Sequence, residues 1–253
     1  MDSVAYIGQA GTGKTTQLIT KLNELLDFNS WPPSSSLLAI TFMHGSRRRL
    51  EEKLEPIQKK GVQVNCKTID SFCLNLVQRY RSYLGISSTL VFAENPNEKV
   101  ELEGKLHIGR NVIREFANAL LELDVVKEVQ SFSYPIVVVD EFQDCDGQLL
   151  EIVKKLHNCC QLVVAADDFQ NLTDNADCAA TQWLSESVEL NRLIHVWRTE
   201  DSRILDSSIA LRSNVPTKNA VEVKYVQSPN MAAYFILANM QWYDRMGSDK
   251  KSV

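Results

Sequence analysis

The feature that most restricts the fold of this chain lies within its first sixteen residues. Residues 8–15 read Gly-Gln-Ala-Gly-Thr-Gly-Lys-Thr, which matches the phosphate-binding pattern GxxxxGK[ST]. An apolar run at residues 4–7 precedes the pattern and a helical apolar stripe follows it, which is the strand–loop–helix setting that such a loop requires. A glycine-rich turn without a ligand is the alternative, but it does not explain the strand and the helix. The sequence therefore predicts a phosphate site at the start of the first helix.

The residues of this loop have distinct predicted roles. Gly11 and Gly13 let backbone N–H groups approach a β-phosphate with no Cβ in the way. Lys14 supplies a positive charge for the β- and γ-phosphates, and the Thr15 hydroxyl is placed to bind Mg²⁺. The predicted nucleotide-binding residues are Gly8, Gln9, Ala10, Gly11, Thr12, Gly13, Lys14, Thr15 and Thr16.

A second segment carries the acidic groups that such a site needs. Residues 136–139 are an apolar run that ends in Asp140 and Glu141. Because a buried parallel strand is open at its carboxyl end, Asp140 can reach the metal while Glu141 faces an attacking water as a general base. Acidic residues at strand ends also occur as helix caps. Together with the phosphate loop, however, they favour a magnesium site formed by Thr15 and Asp140.

Apolar runs typical of buried strands alternate with segments of helical periodicity along the chain. The predicted strands are residues 4–7, 37–41, 62–66, 136–140, 162–166, 193–196 and 221–226. Residues 83–132 interrupt this alternation, with strand character only at 90–92, and are predicted to be a mostly helical insertion. The predicted fold class is α/β, with a mainly parallel sheet flanked by helices.

Composition and charge narrow the class of protein. Apolar residues make up 44% of the 253 residues and charged residues 23%, which is typical of a globular protein with a real core. The net charge of −5 means that a polyanion would have to bind through a local basic strip. Six cysteines without a CxxC pair favour a reduced, cytoplasmic setting. No apolar run approaches the roughly 18 residues of a membrane-spanning helix, so no membrane partner is predicted.

Several segments, in order along the chain, resemble motifs of the UvrD/Rep/PcrA-like superfamily 1 DNA helicases. Residues 140–144, Asp-Glu-Phe-Gln-Asp, are similar to motif II, which reads DExQD in that family. The other similar segments are residues 39–42 for motif Ia, 67–72 for the TxHSF element, 166–170 for motif III and 196–199 for motif IV. The resemblance covers roughly residues 3–212. Asp70 departs from the pattern, since the family has histidine at this position.

The resemblance implies a RecA-like P-loop NTPase that uses Mg²⁺ and ATP and binds single-stranded DNA. By the same resemblance, Gln143 and Gln170 sense the γ-phosphate and Arg198 contacts it as an arginine finger. With Glu141 as the base, these four residues are the predicted catalytic set. The DNA path would be lined by Thr41, Phe42, Thr68 and Ser71.

The resemblance also divides the chain into regions. Residues 1–82 and 133–212 would form the RecA-like ATP-binding domain (1A), residues 83–132 a 1B-like insertion, and residues 213–253 the start of a second RecA-like domain (2A). Within the last region, residues 231–246 are apolar nearly all round a helix, so we expect a protein partner or a missing lobe to cover it. Motifs V and VI would lie beyond Val253. We therefore expect this chain to bind nucleotide better than it hydrolyses it, and not to unwind DNA alone.

Some features keep two interpretations. Phe42 is either a base-stacking aromatic or a core residue, and Trp197 either packs near the nucleotide or lies in the core. Residues 47–49 are three arginines followed by several glutamates, so they are either phosphate contacts or part of a solvated, ion-paired helix face. For the whole chain, the alternatives to a DNA-coupled ATPase are a non-catalytic ATP-dependent switch that acts through a partner and, as a weaker alternative, a small P-loop kinase.

Overall fold

The computed structural model describes residues 3–26, 31–42, 44–167, 179–197 and 201–213. Its nine strands are β1 (Val4–Gly8), β2 (Ser36–Thr41), β3 (Gln63–Thr68), β4 (Thr89–Phe92), β5 (Lys99–Leu102), β6 (Lys105–Ile108), β7 (Ile136–Val139), β8 (Gln161–Ala166) and β9 (Glu189–Leu193). Six of them form one sheet in the order β3-β2-β7-β8-β1-β9, in which every neighbouring pair is parallel. The predicted α/β class with a mainly parallel sheet is confirmed.

Both faces of this sheet are buried, which explains why its central strands are continuous apolar runs. In β2, Leu38 and Ile40 belong to the core on one face, while Leu37 and Ala39 belong to the core on the other. All four side chains are fully buried. The alternation carries through β1, β7 and β8, so the sheet is a rigid platform whose accessible groups lie at the strand ends.

The described residues form eight α-helices. They are α1 (Lys14–Leu25), α2 (His44–Gln58), α3 (Ile69–Tyr80), α4 (Arg110–Leu120), α5 (Asp124–Ser133), α6 (Gly147–His157), α7 (Ala179–Ser187) and α8 (Ser202–Ser213). The buried stripes of α1 and α2 pack on one face, and those of α3, α4 and α6 on the other. Helix α8 belongs to a separate unit, residues 201–253. In the part of the chain that the structure describes, no helix is long and apolar enough to cross a membrane.

The insertion differs from the prediction in its first half. Strands β4, β5 and β6 form a small sheet in the order β4-β6-β5, of which the sequence indicated only the first strand. Glu103 and Gly104, with φ of 52° and 72°, join β5 to β6 in a two-residue turn, and both angles have the sign that such a tight hairpin requires. This short, largely exposed hairpin has no apolar run that would have revealed it. The second half, α4 and α5, is helical as predicted.

The predicted strand at residues 193–196 is also wrong, because β9 ends at Leu193. Ile194, which suggested a buried strand, is 90% exposed. The true strand lies on the sheet edge beside β1, where one side faces solvent and polar residues are tolerated. The predicted strand at 221–226 and the predicted helix at 231–246 lie outside the described residues, and the predicted domain boundaries stay a prediction.

Candidate functional site

The phosphate loop connects β1 to α1 and has the backbone that its glycines allow. Gly11 and Gly13 have φ of 86° and 85°, in the left-handed region that residues with a Cβ rarely adopt. The Thr12 hydroxyl donates to the carbonyl oxygen of Gln9 at 2.8 Å, which closes the turn between them. The loop is therefore held by its own hydrogen bonds.

Gly8, at the start of the loop, is required by packing. A Cβ at this position would lie 2.5 Å from the carbonyl oxygen of Leu193 and 2.6 Å from the Thr12 hydroxyl oxygen. Neither distance is tolerable for a carbon atom. The end of β1 can therefore lie against β9 only because residue 8 has no side chain.

Lys14 folds back over the loop. Its ammonium donates to the carbonyl oxygens of Gly8 and Gln9, at 2.6 Å and 3.2 Å, and lies 3.7 Å from Oδ2 of Asp167. Asp167 follows the end of β8 and is fully buried. The charge predicted to meet phosphates is thus positioned over the loop by two carbonyl groups and one buried carboxylate.

Asp140 and Glu141 follow β7, at the same edge of the sheet as the loop. Asp140 is 8% exposed, and burial raises the pKa of its carboxyl group, an effect that the nearby Lys53 ammonium opposes. Glu141 has φ 57° and ψ 44°, a left-handed conformation that is uncommon for a residue with a side chain. Such conformations concentrate at functional sites, where the surrounding structure enforces them.

The loop and the acidic pair share one cavity of about 580 Å³. It is lined by Ala10, Gly11, Gly13, Lys14, Thr15, Thr16, Ser46, Arg49, Lys53, Asp140, Glu141 and Trp197. The structure therefore brings together most of the predicted nucleotide-binding residues and both predicted acids. Gly8, Gln9 and Thr12 support the cavity from below through the hydrogen bonds of the loop.

Gln143 links the predicted base to the next strand. Its amide Nε2 donates to Oε2 of Glu141 at 2.7 Å, and its Oε1 accepts the backbone N–H of Asp167 at 2.8 Å. Gln143 itself is buried, with 3% exposed. One side chain thus fixes the orientation of the Glu141 carboxylate and joins it to the end of β8. The predicted role of Gln143 as a γ-phosphate sensor stays a prediction.

Thr15 and Asp140 offer oxygen atoms of the kind that Mg²⁺ binds. The ammonium of Lys53 donates to Oγ1 of Thr15 at 3.0 Å and lies 3.9 Å from Oδ2 of Asp140, so both oxygens already surround one cation. Among the described residues, no cluster of three or more His, Cys, Asp or Glu side chains forms a self-sufficient metal site. The hydroxyl and single carboxylate therefore fit a Mg²⁺ ion that completes its shell with phosphate oxygens and water.

Helix α2 supplies two cavity residues that sequence reasoning missed, Ser46 and Lys53, and one that it named as a possible phosphate contact, Arg49. Ser46, Arg49 and Lys53 line the cavity, and their spacing of three and four places them on one helix face. The spacing shows only that the three residues share a helix face, and not that this face lines a cavity. Of the neighbouring arginines, Arg48 pairs with Glu52 at 3.0 Å on a solvated face, as the ion-paired interpretation of this segment predicts, while phosphate contact by Arg49 stays a prediction.

Trp197 is not a core residue. Its side chain is 74% exposed, and it lines the cavity. Its backbone N–H donates to the carbonyl oxygen of Gly11 at 2.8 Å, and its ring lies 3.6 Å from the position of a Cβ on Gly13. The core interpretation is therefore wrong, and an exposed indole stands beside the phosphate loop.

The residues predicted to contact DNA lie near one another at the ends of β2 and β3, where some of their side chains bond to each other. Thr41 and Thr68 are opposite each other in the register of β2 and β3, and both are buried. Oγ1 of Thr68 accepts the Ser71 N–H at 3.2 Å and donates to the Ser71 hydroxyl at 2.8 Å, which caps α3. Phe42 is partly buried and packs against the core, which agrees with its interpretation as a core residue. The DNA-binding roles stay predictions.

Asp70, the departure from the family pattern, forms an ion pair with the insertion. The guanidinium of Arg114 in α4 donates to Oδ1 at 2.7 Å and to Oδ2 at 3.0 Å. This bidentate pair neutralises the acid at the start of α3. Gln170 and Arg198, the other predicted catalytic residues, lie outside the described residues.

The chain matches one family model and is similar to several known proteins. A family model described as an AAA domain matches residues 2–175. The chain is similar to ATP-dependent helicase/nuclease subunits of two bacteria, with 32% identity over 88 residues for Lactobacillus gasseri and 34% over 90 residues for Lactobacillus johnsonii. Each match covers 28% of this chain and 7% of the relative, so the chain spans a small part of these proteins. Among solved structures, Arterivirus nonstructural protein 10 (helicase) in complex with DNA is similar, with 13% identity, a TM-score of 0.42, and coverage of 90% of this chain and 44% of that chain.

Proposed function

The chain belongs to the AAA domain family, and from this premise we propose that it is the amino-terminal ATPase domain of a UvrD-like superfamily 1 helicase, which binds Mg²⁺-ATP and hydrolyses it in response to single-stranded DNA. The observation that carries the proposal is the shared cavity in which the phosphate loop faces Asp140 and Glu141. A cavity of about 580 Å³ is within the range of about 300–1,000 Å³ that is typical of small-molecule sites.

Each of the described site residues would have a separate role. Lys14 and the loop N–H groups would hold the β- and γ-phosphates at the start of α1. Thr15 and Asp140 would hold Mg²⁺, which neutralises phosphate charge when it is bound. Glu141 would take the proton of the attacking water, and Gln143 would keep that carboxylate correctly turned. The exposed indole of Trp197 offers a flat surface for the nucleotide base.

DNA coupling is the part of the proposal that depends on resemblance. The segments that would line a single strand, around Thr41 and Thr68, end at the same sheet edge as Asp140 because all these strands are parallel. A strand bound there would lie close to the nucleotide cavity. That proximity supports, on physical grounds, an ATPase rate that responds to DNA.

The substitution Glu141→Gln tests the catalytic part of the proposal. The amide keeps an oxygen that can accept the Gln143 hydrogen bond but cannot take a proton from water. Steady-state ATP hydrolysis should fall by about 100-fold or more, while the Kd for Mg²⁺-ATP changes little. Glu151→Gln, on the surface of α6, is the matched control and should retain full activity.

The same assay separates the alternatives. Turnover that rises when single-stranded DNA is added supports the DNA-coupled ATPase. Tight ATP binding with equally slow turnover in the original protein and in Glu141→Gln would contradict it and favour a non-catalytic switch. A phosphorylated metabolite as product would instead indicate a kinase.

A further inference from the structure

Lys53 reaches the cavity from a helix that is firmly anchored. The apolar side chains of Leu50, Leu54 and Ile57 hold α2 on the sheet, and all three are fully buried. Lys53 lies on another face of the same turns, and its side chain is 44% exposed. A lysine with this much exposure is free to extend into solvent, so its position over the cavity is set by what it contacts there.

Its contacts are the two predicted magnesium ligands. The Nζ atom donates to Oγ1 of Thr15 at 3.0 Å and lies 3.9 Å from Oδ2 of Asp140. The lysine and a metal bound by the same two oxygens would place a single and a double positive charge within a few ångströms of each other, which is strongly unfavourable. The two cations therefore exclude each other from this position.

We propose that Lys53 is a built-in counter-cation that takes the magnesium position and lets the cavity bind a nucleoside triphosphate without metal, in competition with Mg²⁺. The inference rests on the proposed function, since it concerns the same site. It adds a nucleotide-binding residue and a specific prediction about metal dependence.

The balance of charges at the site gives the reason. Asp140 and Glu141 bring two carboxylates next to the place of a triphosphate, which alone would repel it. Lys14, Arg49 and Lys53 are the cationic side chains that line the cavity. Of these, Lys53 forms the described ion pair with Asp140, with Nζ 3.9 Å from Oδ2. Without Lys53 and without metal, the Asp140 carboxylate would face the phosphates uncompensated. With metal bound, the positive charge of Lys53 is no longer needed to offset the Asp140 carboxylate.

The experiment is a comparison of ATP affinity with excess Mg²⁺ and with EDTA, measured by isothermal titration calorimetry. The original chain should bind ATP in both conditions. Lys53→Met should raise the Kd in EDTA by about tenfold and leave the Kd in Mg²⁺ unchanged or lower, so that the ratio of the two rises. Lys59→Met removes a charge from an exposed ion pair just after α2 and should leave the ratio unchanged.

A second measurement does not involve nucleotide. Mn²⁺, a paramagnetic substitute for Mg²⁺, should bind Lys53→Met about tenfold more tightly than the original chain when followed by electron paramagnetic resonance. Lys53→Arg keeps the charge and should retain ATP binding in EDTA. If Lys53→Met does not fold, the Mn²⁺ titration on Lys53→Gln decides the question.

The outcomes separate the two proposals. An unchanged ratio of Kd values in Lys53→Met, or unchanged Mn²⁺ affinity, overturns the role of Lys53 and leaves the ATP site intact. Failure of the original chain to bind ATP even in excess Mg²⁺ overturns the proposed function itself.

Discussion

Two stretches of the same sheet edge carry motif residues, and they differ in what those residues contact. Where β1, β7 and β8 end, polar side chains surround an open cavity, and both Lys14 and Gln143 contact Asp167 at the end of β8. Where β2 and β3 end, Thr68 bonds Ser71 three residues away, and Asp70 is paired with Arg114. We call the first the open stretch, because its residues line a cavity, and the second the closed stretch, because its motif side chains are held by hydrogen bonds to other residues of the chain.

This difference shows what a motif residue at a strand end does and does not establish. A threonine or an aspartate after a parallel strand is equally suited to bind a ligand and to cap the following helix. Thr68 ends β3 and Thr15 lies in the first turn of α1, after β1, yet Thr15 lines a cavity whereas Thr68 is 4% exposed and caps α3. The space left beside the side chain, and not its type, distinguishes the two.

The largest expected effect is on the open stretch. Lys14→Ala should lower ATP affinity by at least about 100-fold, because the ammonium that meets the phosphates is lost. The buried Asp167 also loses its neighbouring charge, so a lower melting temperature is expected without unfolding at room temperature. Calorimetry and circular dichroism measure both, with Lys21→Ala on the same helix as control. Retained affinity would remove the phosphate-loop interpretation.

On the closed stretch, the strongest effect should come from Arg114→Ala. Loss of both charge-assisted hydrogen bonds leaves the partly buried Asp70 without its partner, which should lower the free energy of unfolding by about 2 kcal/mol. Urea denaturation measures this, and Arg110→Ala at the exposed start of α4 is the control. ATP affinity should not change. A large loss of ATP affinity would show that the two stretches are not independent.

The substitution Trp197→Ala tests whether the open stretch contacts the base of the nucleotide. Because the ring is exposed, its removal should change stability by less than about 0.5 kcal/mol. Loss of base stacking should raise the Kd for ATP by about tenfold. Tripolyphosphate, which has no base, should bind both proteins equally, and Phe132→Ala, another exposed aromatic, is the control. Equal losses for ATP and tripolyphosphate would indicate that Trp197 supports the loop instead.

The smallest effect is expected from Thr68→Ala. Loss of the side-chain cap of α3 should lower the free energy of unfolding by about 1 kcal/mol, with ATP affinity unchanged. Thr68→Ser keeps the hydroxyl and should recover most of that stability in thermal denaturation. If serine is no better than alanine, the cap does not explain why threonine lies here.

The sequence predicted the central sheet well because its strands are buried on both faces. The runs 136–140 and 162–166 correspond closely to β7 and β8, whose burial requires continuous apolar residues. Prediction failed where burial is partial. Strands β5 and β9 are edge strands with exposed polar residues, and Ile194 suggested burial although it is exposed.

The candidate site followed the same division. Lys14, Thr15, Asp140 and Glu141 were predictable because motif spacing and strand direction together bring them to one edge. Lys53 was not, since a lysine in a charged helix gives no indication of which way its long side chain turns. The bond from Gln143 to the end of β8 depends on strands that are neighbours in the sheet but not in sequence.

The crowding at Gly8 has a consequence for how descendants of this chain would evolve. The carbonyl group of Leu193 forbids any side chain there, whether or not a phosphate is ever bound. A lineage that lost catalysis would therefore still be selected to keep this glycine for the sake of its fold. The presence of this glycine in a related sequence is therefore evidence of a shared fold. Lys14 and Glu141 are the positions that would reveal whether nucleotide binding and catalysis are retained.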